Sequence, residues 1–382
     1  MRFIYTGAFR FPNFDAASQR VLNNARILRE LGHEVVFIAY GGVIDSEAQS
    51  SDGYGTYDGF KYLVTDELLS TKNIFQRFLQ QVNRGKIANN VINRDYSDWN
   101  IIEYNSFFAR EWSDITEWYD TSDFAGGYLS YGFWRSEYNL KIKQKLVPKK
   151  ILISSFLDQY YRDSDNIVIP PLINIDDCKW SMELSRIPMT ISSHNGRRII
   201  FAGTPAKKDL LSNVISALCH LVINGDRSVQ LIILGVDPNN MYKYCSREQL
   251  NLLKDNIVIV GRVPQDSVPA YYKLADFSLI IREPIKKNMA GFPTKMAESM
   301  AAGCPVLMTP TSDLERYVQN GVQGILIPDT RIDSIVSGLK TISNLSNDRI
   351  QEMKFRAKSL ALVKFDWRNY ISPMQDFIGS CV

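Results

Sequence analysis

The chain has 382 residues, 45% of them hydrophobic and 12% aromatic, enough apolar material to bury more than one core and to suggest two domains. Its 44 Lys and Arg against 41 Asp and Glu leave a net charge of +3, too balanced for bulk electrostatics to argue for nucleic acid. The cysteines Cys178, Cys219, Cys245, Cys304 and Cys381 are odd in number and without paired spacing, which fits reduced thiols and indicates no zinc site.

The amino-terminal MRFIYTGAFRF lacks the continuous apolar run of a signal peptide, and no stretch of about 18 apolar residues is present to span a bilayer. A cytoplasmic protein is expected, at most peripheral at the inner face of the membrane. Arg2 to Thr6 reads as a first buried strand ended by Gly7. In the helix that follows, Ser18 is a candidate cap, Val21, Leu22, Ala25, Leu28 and Leu31 form the apolar stripe, and Gly32 stops it before the strand Val35 to Tyr40. This βαβ unit opens as Rossmann domains do, but the loop Gly7 to Pro12 lacks the three-glycine pyrophosphate fingerprint, so NAD binding is not expected. His33 reads as structural.

From Ile74 to Arg94 the pattern is helical, with Ile74, Phe75, Phe78, Leu79 and Val82 on one side and Arg77, Arg84, Lys86 and Arg94 among the others. Such a basic amphipathic helix can lie on an anionic membrane or cover a sheet; the stripe favours covering a sheet. Asn100 to Tyr104 reads as a strand, and Asp114 and Glu117 follow within the segment DITEWY. Lys149 to Phe156 is a further strand leading into a helix. The Pro170-Pro171 pair and the polar stretch 174–196 form the best linker candidate. The domains are therefore placed at 1–173 and 197–364, with a carboxyl-terminal helix over 365–382.

The second half opens with the strand Arg197 to Ala202, then Gly203-Thr204-Pro205-Ala206-Lys207-Lys208-Asp209 and a helix from Leu210 with Asp209 as its N-cap. A glycine turn with lysines ahead of a helix start is a candidate diphosphate grip. Val229 to Gly235, Ile257 to Gly261 and Phe277 to Ile281 are buried-type strands. Arg262 and Val263 follow the second, and Arg282 follows the third. The β-α-β-α-β order is that of a doubly wound domain, whose ligands bind beyond the strands' carboxyl ends.

The stretch from Arg282 to Thr309 is the richest in the chain. Gly291-Phe292-Pro293 supplies a tight turn, a helix begins near Thr294 and Gly303 stops it. Met296, Ala297, Met300 and Ala301 make its apolar face, while Lys295 and Glu298 share another. A helix tip behind a glycine turn offers N–H groups to an anion, and a carboxylate one turn in can accept from sugar hydroxyls, together suiting a nucleotide-sugar diphosphate. A Lys295/Glu298 surface pair is the plain alternative.

This segment resembles the donor-binding signature of family 4 retaining glycosyltransferases, and its GFPTK…E form is similar to a subset acting in bacterial capsular and exopolysaccharide assembly. Glu298 falls on the second Glu of the family's paired motif, followed in register by Met300-Ala301-Ala302-Gly303-Cys304-Pro305-Val306. Ala290 stands where the first Glu is usual. The resemblance implies an α/β GT-B fold, with two Rossmann-like domains facing a cleft, the first on the acceptor side and the second binding the donor. It also implies that the carboxyl-terminal helix crosses back to the first domain. Thr204 stands at the family's usual phosphate-binding Arg, Lys208 is the surviving cation, and Arg282 is a substitute guanidinium. The nine residues between NIIEY and Asp114 imply a first domain trimmed by one βα unit.

The function implied is transfer of a sugar from a nucleotide diphosphate sugar, UDP-linked ahead of GDP-linked, to a saccharide or lipid-linked acceptor with retention and without a metal. Asp114, Glu117 and Lys208 are the catalytic candidates. Gly203, Thr204, Lys208, Arg262, Val263, Arg282, Gly291, Phe292, Pro293, Thr294, Lys295 and Glu298 are the donor-binding ones, with Glu298 on the ribose. The competing readings are a UDP-sugar epimerase and a non-catalytic scaffold.

Overall fold

The structure, a computed structural model, describes residues 1–12, 15–42, 53–65, 74–104, 115–118, 149–162, 165–184, 191, 193–205 and 209–379; of residue 8 and of residues 74–82 and 115–118 it describes the backbone alone. Asp114, Lys208 and Cys381 lie outside these residues, as do the side chains of Glu117 and of the stripe Ile74 to Val82. The chain divides into two compact units, Met1–Leu172 with Trp367–Val382, and Ile173–Asp366.

Among the described residues the first unit carries an eight-stranded sheet. Its strands are β1 (Arg2–Phe11), β2 (Glu34–Gly42), β3 (Gly55–Tyr57), β4 (Phe60–Val64), β5 (Asn100–Tyr104), β6 (Ile115–Trp118), β7 (Lys149–Leu152) and β8 (Asp165–Val168). They run in the order β3-β4-β2-β1-β5-β6-β7-β8, and only β3 is antiparallel to its neighbour. Alternate residues of the central strands feed two cores. Phe3, Tyr5, Phe37 and Ile102 meet Val21, Leu22 and Ala25 of helix α1 (Ala16–Glu30), together with Trp367, Met374 and Phe377 from the end of the chain. Ile4, Val36, Ile38 and Ile101 meet Ala88 and Ile92 of helix α2 (Ile74–Asp95). The described half of α2 thus covers the sheet, and Arg84, one turn before Ala88, is buried with it.

Two local expectations are corrected. Gly7 does not end β1: the strand runs on to Phe11, because at φ +131° Gly7 lets the backbone lie against β5, where an added Cβ would stand 2.1 Å from the Tyr104 carbonyl oxygen. Ser18 is not the cap of α1. Asp15 is, its Oδ1 accepting from the N–H groups of Ala17 and Ser18, while the Ser18 hydroxyl accepts from the Asp15 N–H at 2.9 Å to complete a capping box.

The second unit is a six-stranded, wholly parallel sheet. Its strands are β9 (Arg197–Ala202), β10 (Val229–Leu234), β11 (Ile257–Gly261), β12 (Phe277–Ile280), β13 (Val306–Met308) and β14 (Gly324–Leu326). Their order, β11-β10-β9-β12-β13-β14, is the doubly wound 3-2-1-4-5-6 arrangement, and it reverses between β9 and β12. Ile199, Phe201, Leu231 and Ile233 face one helical layer; Ile200, Ala202, Ile232 and Leu234 face the other. Covering on both faces is why these strands read as continuous apolar runs.

Lys150 is fully buried in the middle of β7, its ammonium 5.3 Å from the Tyr161 ring centre, and burial pulls its pKa down to about 8. Below pH 8 the folded state carries a desolvated charge that the unfolded chain does not pay for, and the penalty fades as the pH rises from 8 towards 10.5. Lys150→Met is therefore expected to fare better relative to the wild type at pH 7 than at pH 10. Denaturant melts of both proteins at pH 7 and pH 10 should show the advantage shrinking at the higher pH; an advantage that grows there contradicts the reading.

Candidate functional site at the carboxyl ends of the second sheet

Three adjacent strands, β9, β10 and β11, end in glycines with left-handed backbone: Gly203 at φ +115°, Gly235 at +87° and Gly261 at +87°. Gly203 N–H donates to the Leu234 carbonyl at 3.2 Å and Gly235 N–H to the Gly261 carbonyl at 2.7 Å. The fit is closest at Gly235, where an added Cβ would lie 2.7 Å from the backbone carbon and oxygen of Gly203. On the other side of Gly203 an added Cβ would meet nothing within 4 Å among the described residues, and Gly203 and Thr204 are both exposed. Gly203 therefore rests on Gly235 and, among the described residues, is open on its other side.

Across the switch point, Arg282 stands two residues beyond β12. Its backbone is clamped to the end of β13: Arg282 N–H donates to Thr309 Oγ1 at 2.8 Å, and the Thr309 hydroxyl donates to the Arg282 carbonyl at 2.7 Å. The guanidinium is committed to Asp209, with Nε and Nη2 each 2.9 Å from Oδ1. Arg282, read from sequence as a substitute for the missing guanidinium, is thus paired with a carboxylate in this structure. Asp209, in turn, is not the expected N-cap; the helix Leu211–Ile223 starts behind Leu210 without a side-chain cap, because the Asp209 carboxylate is turned to the cations. Lys295 Nζ approaches the same Oδ1 at 3.5 Å and lies 4.1 Å from the centre of the Phe201 ring, near the end of β9. The loop after β9 and the tip of the helix Thr294–Ala301 consequently occupy one end of the sheet.

That helix begins at Pro293 with no side-chain cap, leaving its first-turn N–H groups beside Lys295. Gly291 takes an extended conformation, φ −91° and ψ 174°, rather than the tight turn expected. Phe292 is buried, and its ring packs 5.5 Å from that of Tyr317 and 6.2 Å from that of Phe365. Its side chain is a core anchor, and only its backbone is left to face a ligand. Ala290 is fully buried.

Glu298, one turn along the helix, is partly buried. Burial pushes its carboxyl above the usual range, with Lys179 and Lys295 opposing. The Tyr272 hydroxyl is pushed well up by its own burial, with the Glu298 charge adding to the shift. Lys179, from the 174–196 stretch read as a linker, thus joins the surroundings of Glu298. Arg262 is exposed past β11, and Val263 packs against the second core. Glu117 lies in β6, in register with Tyr104 and Ile151. A separate hollow lined by His194, Arg227, Asp255 and Asn256 lies at the opposite, amino-terminal ends of β9, β10 and β11.

Sequence reasoning missed Asp209 as a charge partner, the platform roles of Phe201 and Gly235, and Lys179. The available signal was the buried-type Asp directly after two lysines; nothing local disclosed which cation it would meet.

Residues 190–359 match the family model described as glycosyl transferases group 1. A phosphatidyl-myo-inositol mannosyltransferase of Mycobacterium leprae is 27% identical over 209 residues, covering 53% of this chain and 50% of that protein. A putative colanic acid biosynthesis glycosyltransferase of Salmonella typhimurium is 29% identical over 135 residues, covering 35% of this chain and 33% of that protein. The chain thus spans half of the first relative's length and a third of the second's. Among solved structures, sucrose-phosphate synthase from Thermosynechococcus elongatus superposes with a TM-score of 0.74 at 14% identity, over 100% of this chain and 99% of that one. Anabaena HepE in complex with UDP superposes with a TM-score of 0.65 at 13% identity, over 100% of both chains. With two parallel-sheet units, a doubly wound second sheet and these likenesses, the chain has the GT-B fold and carries, over residues 190–359, a glycosyl transferases group 1 domain.

Proposed function

We propose that the protein is a retaining glycosyltransferase that moves a sugar from a nucleotide diphosphate sugar to a saccharide or lipid-linked acceptor in surface polysaccharide biosynthesis. One observation carries the reading: the end of β9 at Phe201, the loop residue Asp209 and the uncapped tip of the Thr294–Ala301 helix come together around Lys295 at the switch point. An anion held there gains from N–H groups and from a cation in a low-dielectric setting, without a metal. The match to the group 1 model and the polysaccharide-related name of one relative support the same class. The UDP bound by one structural neighbour supports a UDP-linked donor ahead of a GDP-linked one.

In the reaction, the bond from the anomeric carbon to the diphosphate oxygen breaks and a bond from the same carbon to the acceptor oxygen forms, with the acceptor proton leaving. The charge develops on the diphosphate, so the groups facing it do the catalytic work. Lys295 and the helix tip are assigned to that charge, as is Lys208 from sequence. Gly203 and Thr204 line the phosphate side and Arg262 and Val263 the base. Glu298 accepts from the ribose hydroxyls. Asp114 and Glu117 are assigned to the acceptor side. Among the described residues no helix is long and apolar enough to cross a membrane.

Calorimetry against UDP and GDP tests the reading directly: one of them binds, and Lys295→Ala weakens it by about ten- to a hundredfold, the worth of a charged hydrogen bond. Binding of neither, or unchanged affinity in the variant, removes the assignment. Incubation of the donor alone separates transfer from epimerisation by its products.

Glu298 gives a test with two opposed readouts. Its pKa in the folded protein is raised, so the stability tied to its protonated form is present below the unfolded value of 4.5 and is lost as the pH rises through the folded value. Glu298→Gln keeps the neutral shape. The variant is expected to melt higher than the wild type at pH 8 and to match it near pH 4, while binding UDP about tenfold or more weakly at pH 8. A variant that is less stable at pH 8 and binds UDP normally would show a structural carboxylate.

A further inference from the structure

The cluster at the switch point contains an anion that a diphosphate grip does not need. Asp209 is 7% exposed as a side chain and stands among cations, in a site read above as receiving phosphates. Two of its cationic partners are held very differently. Arg282 binds Oδ1 through two donors at 2.9 Å, its side chain is 7% exposed and its backbone is clamped on both sides by Thr309. A planar fork in that position cannot turn to a ligand without breaking both bonds. Lys295 is 13% exposed and reaches Oδ1 at 3.5 Å, well beyond the roughly 2.7–2.9 Å of a firm charged hydrogen bond. It also lies over the face of Phe201, a non-directional contact. An ammonium on a four-carbon stem can leave both at small cost.

We propose that Asp209 is an internal competitor for the donor's diphosphate: it shares Lys295 before a nucleotide arrives, and Arg282, as a permanent counter-ion, sets how weakly it does so. The inference rests on the donor-site reading. Counting these three groups, Arg282 and Lys295 against Asp209 leave one net positive charge to attract the ligand. The phosphate then takes Lys295, and Asp209 remains neutralised by Arg282 rather than stranded as a buried anion, which would be costly. Arg282 thereby governs phosphate affinity without touching phosphate, as a positioning residue, and the affinity for the leaving diphosphate is held below what two free cations would give.

The test is a double-mutant cycle on the full chain, with UDP affinity read by calorimetry and thermal melts run alongside. Asp209→Asn is expected to tighten UDP by about tenfold, because Lys295 no longer has a rival partner. Arg282→Gln is expected to weaken it by about tenfold, because an unneutralised Asp209 captures Lys295. The double variant should return to wild-type affinity or better, and in a Lys295→Met background Asp209→Asn should lose its effect. Uridine, which has no phosphate, should bind all variants alike.

A double variant as weak as Arg282→Gln would place the guanidinium on the phosphate and overturn the proposal. So would Asp209→Asn leaving UDP affinity unchanged or lowering it, a result that stands even when Arg282→Gln fails to fold. Failure of the donor reading itself looks different: the wild type binds neither UDP nor GDP.

Discussion

The ion pair between Asp209 and Arg282 holds the second unit's site in shape. It joins the loop after β9 to the end of β12, the two strands between which the sheet order reverses. At such a point the connections on either side run to opposite faces of the sheet, and a crevice opens between them. An almost fully buried carboxylate cannot be left unpaired without a penalty of about 3–5 kcal/mol. The loop's path is therefore tied to Arg282, and Arg282 to Thr309 at the end of β13. The helix that starts at Thr294 belongs to the same crossover between β12 and β13, so its tip is carried to the crevice by the topology and needs no special contact of its own.

A second constraint is steric. Gly203 and Gly235 approach backbone to backbone, which brings the ends of β9 and β10 closer than side chains allow. Glu298 reflects a different balance. Its carboxyl sits where burial disfavours the charge, with the cations Lys179 and Lys295 only partly compensating. A group held at a cost to the unliganded fold gains most from a ligand that supplies hydrogen-bond donors, the usual direction of a trade between stability and function. Lys150 in the first unit is buried in the same unfavourable sense, but it lies in the middle of a strand rather than at a strand end.

Much of the architecture was legible from residue order alone. The runs RRIIFA, VQLIIL and IVIVG are largely apolar because both faces of a parallel sheet are covered, so their identity and, to within a residue, their limits were plain. The stop at Gly303, at φ +76°, and the start at Thr294 follow from local chemistry. Where expectations failed, a partner outside the stretch being read had decided. Ser18 has the chemistry of a cap, but Asp15 three residues earlier closes the reciprocal box. Gly7 resembles a strand end, yet its backbone packs on Tyr104 and the strand continues. Phe292 sits in a loop motif but packs on Tyr317 and Phe365, far along the chain.

Sequence by itself determined the alternation of strands and helices and the doubly wound class, and it singled out the two segments, around Gly203 and around Thr294, proposed to grip an anion. These depend on interactions within a few residues: hydrophobic period, glycine and proline conformations, and helix ends. The tertiary structure decided which charges meet. Asp209 and Arg282 are 73 residues apart and Asp209 and Lys295 are 86 apart, and only the reversal of strand order between β9 and β12 brings them to one oxygen atom. Pairing of that kind depends on the path of the whole chain, because Coulomb attraction in a buried site is settled by distance in space and leaves no trace in local spacing.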